Sequence, residues 1–261
     1  MKKLLFLLSL VAFVCSCTDK PTTTDDQQEE LTWGTASLCV ENPIAPGDSL
    51  CYHIEFKIDT LAGESELAKN LSQLILDSVI IDSQWSGTKG QWTIRQAMQA
   101  FADSTEEEWK TELAERYQDQ PDLRDVLQYY LTIEGALVEN GNDSILTYQT
   151  ATDCYLGGAH GSYVVQYYNF DKTTGKLLSI QDVVPQEKEQ EVLKAMAEQL
   201  CEDWKAEDLA DLQEKTGITM LGDLYLTNNF LLKKDSIEFL FNQYEIAPYS
   251  AGLIDVTVKR P

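Results

Sequence analysis

"CYLGGAHGSYVVQYYNFDKTTGKLLSIQDVV", residues 154–184, combines two turns and two apolar runs. "SYVVQYYNFD" is rich in β-branched and aromatic residues and reads as a strand. "DKTTGK" reads as a turn in which Gly175 suits positive φ, and "LLSIQDVV" follows it. Ahead of the strand, "GGAHG" packs Gly157, Gly158 and Gly161 around His160. One reading is a tight bend or bulge at the head of the strand, with His160 hydrogen-bonded locally. The other is a nest of backbone amides that holds an anionic or carbonyl group, with His160 beside it. The residue types favour the bend.

Upstream, "DVLQYYLTIEGALV" alternates Leu127, Tyr129, Leu131 and Ile133 against Gln128, Tyr130, Thr132 and Glu134, the pattern of a half-buried strand. "ENGNDS" turns the chain and "ILTYQTAT" returns antiparallel. Earlier still, "WGTASLCV" and "LCYHIEFKID" read as strands joined by a Pro/Gly loop at 42–47. Residues 64–82 take helical period, with Leu67, Leu71, Leu74, Ile75 and Ser78 on one face. After "QWSGTKGQ" a helix carries Ile94, Ala97, Met98 and Phe101. Thr105 with Glu108 predicts a capping-box start for a separate helix, whose stripe is Trp109, Leu113 and Tyr117.

Downstream, Pro185 leads into a helix at about 187–205, with Val192, Leu193, Met196, Leu200 and Trp204 inward, and an acidic helical stretch runs to about 215. "NNFLLKKDSIEFLFNQYEIAPYSAGLIDVTV" closes as a hairpin, an irregular link and a final strand. The fold class is α+β, with antiparallel sheets, helices inserted between strands, and two consecutive small domains at 32–152 and 153–261.

The first residues follow different rules. Lys2 and Lys3 precede an apolar run from Leu4 to Val14, too short to span a bilayer and the right size for a signal-peptide core. It ends in "VCSC", which resembles a bacterial lipobox. This implies a signal peptide at 1–16, cleavage before Cys17 and lipid attachment to the Cys17 thiol. Residues 17–31 form a lipidated acidic tether, since "TDKPTTTDDQQEEL" offers nothing to a core. The expected location is extracytoplasmic: a membrane-anchored lipoprotein on the periplasmic face or the cell surface of the outer membrane. The lipid anchor is then the chain's only link to a membrane.

Net charge is −23, and removing Lys2 and Lys3 with the signal makes it −25. A nucleic-acid backbone needs a basic footprint, so that partner class is excluded. An acidic surface attracts cationic partners and confers solubility. Beyond Cys15 and Cys17, the cysteines are Cys39, Cys51, Cys154 and Cys201. Cys39 and Cys51 flank "VENPIAPGDSL", which makes cross-hairpin pairing the candidate disulfide in an oxidising envelope. Cys201 falls on a helix stripe and reads as a buried thiol.

Histidine supply limits the chemistry. With only His53 and His160, a zinc hydrolase site built mainly from histidine is out of reach, and no "HExxH" occurs. No "GxSxG" elbow, "GxxxxGK[ST]" or "GxGxxG" is found either. Carboxylates are too abundant for any pair to stand out as an acid/base couple. The expectation is a protein without catalytic residues, metal or cofactor, in which Tyr155, Gly157, Gly158, His160, Gly161 and Tyr249 form a binding or structural motif.

The second block, with "FNQYEIAPYSAGLIDVTV", resembles the C-terminal domain of RsiV-type extracytoplasmic anti-sigma factors, which also accompanies some peptidoglycan deacetylases. The matching residues are Gly157, Gly158, His160, Gly161, Asn169, Thr174, Gly175, Asp182, Tyr244, Ile246, Ala247, Pro248, Tyr249 and Gly252. The resemblance implies lysozyme binding by a recognition module. The chain departs from that family in having neither a sigma-binding segment nor a spanning helix, so the family's signalling mechanism does not carry over. The expected partner is thus lysozyme or another basic protein. The alternatives are a peptidoglycan or other envelope glycan, suggested by the tyrosines around Tyr155, Tyr163, Tyr167 and Tyr168, and a cell-wall-modifying enzyme.

Overall fold

The computed structural model describes residues 32–43, 51–80, 92–119 and 128–261. The expected signal at 1–16, Cys17, the tether at 17–31 and the apex of the 42–47 loop lie outside the described residues.

A six-stranded sheet runs in sequence order: β1 (Thr32–Pro43), β2 (Cys51–Ala62), β3 (Tyr130–Val138), β4 (Ile145–Tyr155), β5 (Ser162–Asp171) and β6 (Leu177–Leu178). Between β2 and β3 the chain passes through α1 (Glu66–Leu74), a π-helical turn (Ile75–Ile80) and α2 (Ile94–Asp119). A crossover of that length lets two strands run the same way. Accordingly β2 and β3 pair in parallel, with His53 opposite Tyr130, and the other neighbours pair antiparallel.

The helices cover one face of this sheet. Tyr52, Ile54, Phe56 and Ile58 alternate along β2 and are fully buried. They meet Leu67, Leu71 and Ile75 from the first helical segment, and Met98, Ala102 and Leu113 from α2. Trp109 packs edge-on to Tyr52 at 6.0 Å and to Tyr129 at 5.7 Å, geometry that complements the ring quadrupoles.

The rest of the chain builds a second core on a three-stranded sheet, β7 (Phe230–Leu232), β8 (Ser236–Phe241) and β9 (Ile254–Lys259). Preceding it are the short α3 (Ile180–Val183), α4 (Glu189–Asp203) and α5 (Leu209–Thr216). α4 buries Val192, Met196 and Leu200 against this core. Asp208 caps α5 by accepting from the Asp211 amide, and Gly217 ends it at φ +78°.

β4 and β5 serve both cores. Leu146, Tyr148 and Phe170 point to the helices, whereas Ala151 and Val165 meet Leu240 of the second sheet. The joint is polar as well. The Asn229 side chain accepts from the Tyr167 amide at 2.9 Å and donates to the Val165 carbonyl at 2.8 Å. Asn169 accepts from the Leu232 amide at 3.1 Å and donates to the Phe230 carbonyl at 2.6 Å.

Several expectations are corrected. The division at 152/153 falls inside β4, and the six-stranded sheet continues through it. α2 is one helix across Thr105 and Glu108, because Ala102, Trp109 and Leu113 continue a single buried stripe. Trp204 caps the end of α4 and is 48% exposed rather than inward. Cys39 and Cys51 are free thiols. Cys39 lies opposite Glu55 and Cys51 opposite Pro43. The four-residue offset separates them by about 13 Å along the ladder, beyond the roughly 7 Å Cα limit for a bridge.

Candidate functional site

The "GGAHG" segment joins β4 to β5 at the end of the sheet where β1 finishes. Gly157 and Gly158 take φ +80° and +109°, conformations open to glycine and rare for other residues. Space adds a second demand. A Cβ on Gly157 would sit 2.8 Å from Arg116 Nη1, and one on Gly161 would sit 2.8 Å from the Cys154 carbonyl oxygen. The Tyr155 hydroxyl donates to the Gly158 carbonyl at 2.9 Å and closes the loop.

His160 projects from this loop onto the link between β8 and β9. Its ring stacks on Tyr249 with centroids 3.6 Å apart and planes 17° apart. Nδ1 lies 2.9 Å from the Gly161 carbonyl, and Nε2 lies 3.2 Å from the Tyr244 hydroxyl. A carbonyl only accepts, so Nδ1 carries a proton, and in the neutral ring Nε2 accepts from Tyr244. A catalytic triad would orient the imidazole with a carboxylate and offer its other nitrogen to a nucleophile. Here a carbonyl and a phenol take those positions. Tyr244 itself sits at φ +69° and is 56% exposed.

The other face of the sheet, away from α1 and α2, extends the site. Register places Glu41, His53, Tyr130 and Tyr155 in one row, and Cys39, Glu55, Thr132, Asp153 and Tyr163 in the next. The Tyr130 and Tyr155 rings stack 6.5 Å apart, and the Tyr130 hydroxyl donates to Asp153 at 3.2 Å. Partial burial raises the Tyr130 pKa, with the Asp153 charge adding to it. His53 Nε2 lies 3.3 Å from Glu55. Across β1–β4 this face carries Glu41, Glu55, Asp59, Glu134 and Asp153 against Lys57. Arg116, beside Gly157, is paired with Glu112 at 2.7 Å.

Tyr155, Gly157, Gly158, His160, Gly161 and Tyr249 therefore gather at one end of the molecule, whereas Cys39 and Cys51 form no pair. Tyr130, Asp153, His53 and Tyr244 join them, beyond the motif expected from the sequence. The alternation of β3 already put Tyr130 on the face opposite Tyr129; the contact with Tyr244 depends on tertiary structure. Among the described residues, no group of three His, Cys, Asp or Glu could hold a metal ion. Nor is any described helix long and apolar enough to cross a membrane.

Residues 181–260 match the family described as a protein of unknown function, DUF3298. The DUF3298 match covers α4, α5 and the second sheet, and stops short of the "GGAHG" loop. The fold is similar to the crystal structure of a DUF3298 family member from Bacteroides fragilis NCTC 9343. That likeness has a TM-score of 0.74 and 20% identity, covering 88% of this chain and 90% of the other. A DUF3298 family protein from Pseudomonas aeruginosa PAO1 is similar with a TM-score of 0.56 and 16% identity, covering 87% of this chain and 91% of the other. At these identities the likeness is one of fold. No curated protein matches the sequence significantly.

Proposed function

We propose that the chain is a lipid-anchored, non-enzymatic recognition module of the cell envelope that binds a cationic protein. Lysozyme is the candidate drawn from the RsiV-type resemblance. The acidic outer face of β1–β4 carries this reading, with five carboxylates against Lys57 and a border of tyrosines. Carboxylates steer and pair with lysine and arginine, and tyrosine faces accept their cationic heads and stems. In support, the segments 153–165 and 242–253 carry Asp153 and Glu245 with no lysine or arginine. Calorimetric titration with lysozyme at low and moderate salt tests this: binding should weaken as salt screens the charges. An absence of heat at micromolar concentrations in both buffers removes lysozyme as the partner.

The stacked Tyr130 and Tyr155 rings favour a second reading, recognition of an envelope glycan through its apolar sugar faces. Co-sedimentation with purified peptidoglycan sacculi tests it, and protein left wholly in the supernatant rejects it.

A further inference from the structure

Resting on the anchoring reading above, we infer that the chain presents its tyrosine cluster in trans, to a partner arriving from the side away from the anchoring membrane. The argument is one of strand direction. β1 begins at Thr32, opposite Ala62, so the preceding residues approach the sheet at that end. The same end holds the close of β3 at Val138, the start of β4 at Ile145 and the close of β5 at Asp171. The Tyr130–Tyr155 row meets β1 at Glu41, nine residues beyond Thr32, which places it about 30 Å away along the strand. His160, Tyr244 and Tyr249 lie at that far end, since the loop carrying His160 connects Tyr155 to Ser162.

An unstructured stretch as long as residues 18–31 has a root-mean-square span of about 20 Å, less than the separation between the two ends. Anchored at Cys17, the chain would on average hold Trp33, Leu137 and the 139–143 turn near the lipid and the tyrosines beyond it. The acidic outer face also disfavours lying flat on an anionic surface. A soluble cationic protein outside the membrane fits this arrangement, and a partner embedded in the same membrane does not.

Energy transfer to a lipid-headgroup acceptor provides the test. The chain from residue 17 is coupled through the Cys17 thiol to a maleimide lipid in vesicles, with Cys39, Cys51, Cys154 and Cys201 replaced by serine. A donor is then placed through an orthogonal handle at Ser144 or at Ser162, both exposed. The 30 Å offset should give at least about two-fold higher transfer from position 144 than from position 162. Equal transfer, or higher transfer from 162, overturns the inference. If the serine variant fails to fold, the isotope-labelled chain that keeps these four cysteines is coupled to the lipid through an orthogonal handle at position 17 instead of a thiol, and paramagnetic lipid in the vesicles gives the same reading. Amides of 139–144 should broaden and those of 157–162 should not, and the reverse pattern overturns the inference. The chemical anchor makes the outcome independent of native acylation. Added lysozyme separately reports the partner: vesicles that show the predicted transfer but bind no lysozyme reject that partner while the orientation stands.

Discussion

Tyr148 lies across Gly135 on the neighbouring strand and donates its hydroxyl at 2.8 Å to the Asp59 carbonyl one strand farther on. A Cβ at position 135 would overlap that hydroxyl and come within 2.9 Å of the ring carbon bearing it. The ring is fully buried, so it has little room to yield. Gly135→Ala should therefore destabilise the chain by about 2 kcal/mol through overpacking and loss of the hydrogen bond. Tyr148→Phe removes only the hydroxyl and should cost about 1 kcal/mol. Urea unfolding of both variants checks the order. Burial raises the Tyr148 pKa above the ordinary value of 10.0. The neutral phenol is thus favoured in the fold, and this contribution is full below pH 10 and declines as pH rises toward the folded value.

The joint between the sheets gives a second expectation. Asn242 accepts from the Val165 amide at 2.8 Å and donates to the carbonyl of the same residue at 3.0 Å, while Asn229 shares that carbonyl. The edge of β5 is satisfied here by side-chain amides instead of another strand. Asn229→Ala strands the Tyr167 amide, and Asn242→Ala strands the Val165 amide, each at a cost of about 2 kcal/mol. Asn229→Asp should be worse than alanine, because a carboxylate oxygen would face the Val165 carbonyl where a donor now stands. Denaturant unfolding of the three variants would reveal that order, and an aspartate variant as stable as wild type would contradict the assignment.

How legible this was depended on the number of faces each strand buries. β2 covers one core, so Tyr52, Ile54, Phe56 and Ile58 alternate visibly with His53, Glu55 and Lys57. β4 is covered on both sides, and Ile145, Leu146, Thr147 and Tyr148 are all buried, so periodicity could not say which residues face which core. The single α2 was hidden because Thr105 and Glu108 imitate a cap, and only the buried stripe on either side overrides that signal. In the candidate site the glycines and His160 were apparent as a group. The Glu41–His53–Tyr130–Tyr155 row depends on the parallel pairing of β2 with β3, far apart in sequence, and the approach of Tyr244 depends on the β8–β9 link packing against the β4–β5 loop; local residue types encode neither.

Part of the acid sensitivity should trace to Glu106 on α2, alongside Asp182, Asp171 and Asp211, whose carboxyls are also held low. Its Oε1 accepts from Lys110 at 2.5 Å, from Asn42 at 3.0 Å and from the Tyr52 hydroxyl. The Lys110 hydrogen bond, then that of Tyr52, holds the carboxyl below its ordinary value of 4.5. A depressed folded pKa contributes stability above the unfolded value and loses it as pH falls through the folded one. Glu106→Gln should therefore flatten the decline in stability expected of wild type below pH 4.5. Unfolding midpoints collected from neutral to strongly acid pH measure this, and parallel acid limbs for the two proteins would exclude Glu106 as a source.

Charge and ring residues at the site should separate kinetically if the partner is a cationic protein. Glu55 and Asp153 lie in the same row of the acidic face, flanking Thr132, and neither forms an ion pair with a described lysine or arginine. Their field acts before contact, so Glu55→Lys combined with Asp153→Lys should slow association with lysozyme and reduce its salt dependence, with a smaller effect on dissociation. Tyr244 is an exposed ring held against His160 and Tyr249. Its contribution is made after contact, and Tyr244→Ala should speed dissociation by about ten-fold or more while leaving association nearly unchanged. His160→Ala removes the stacking partner that positions Tyr249 and the acceptor that holds the Tyr244 hydroxyl. It should follow Tyr244→Ala in kind and be smaller in size. Interferometry across a salt series resolves the two rate constants. Charge reversals that change only dissociation, or a Tyr244→Ala variant that changes only association, would show that the acidic face and the tyrosine cluster do not divide the work in this way.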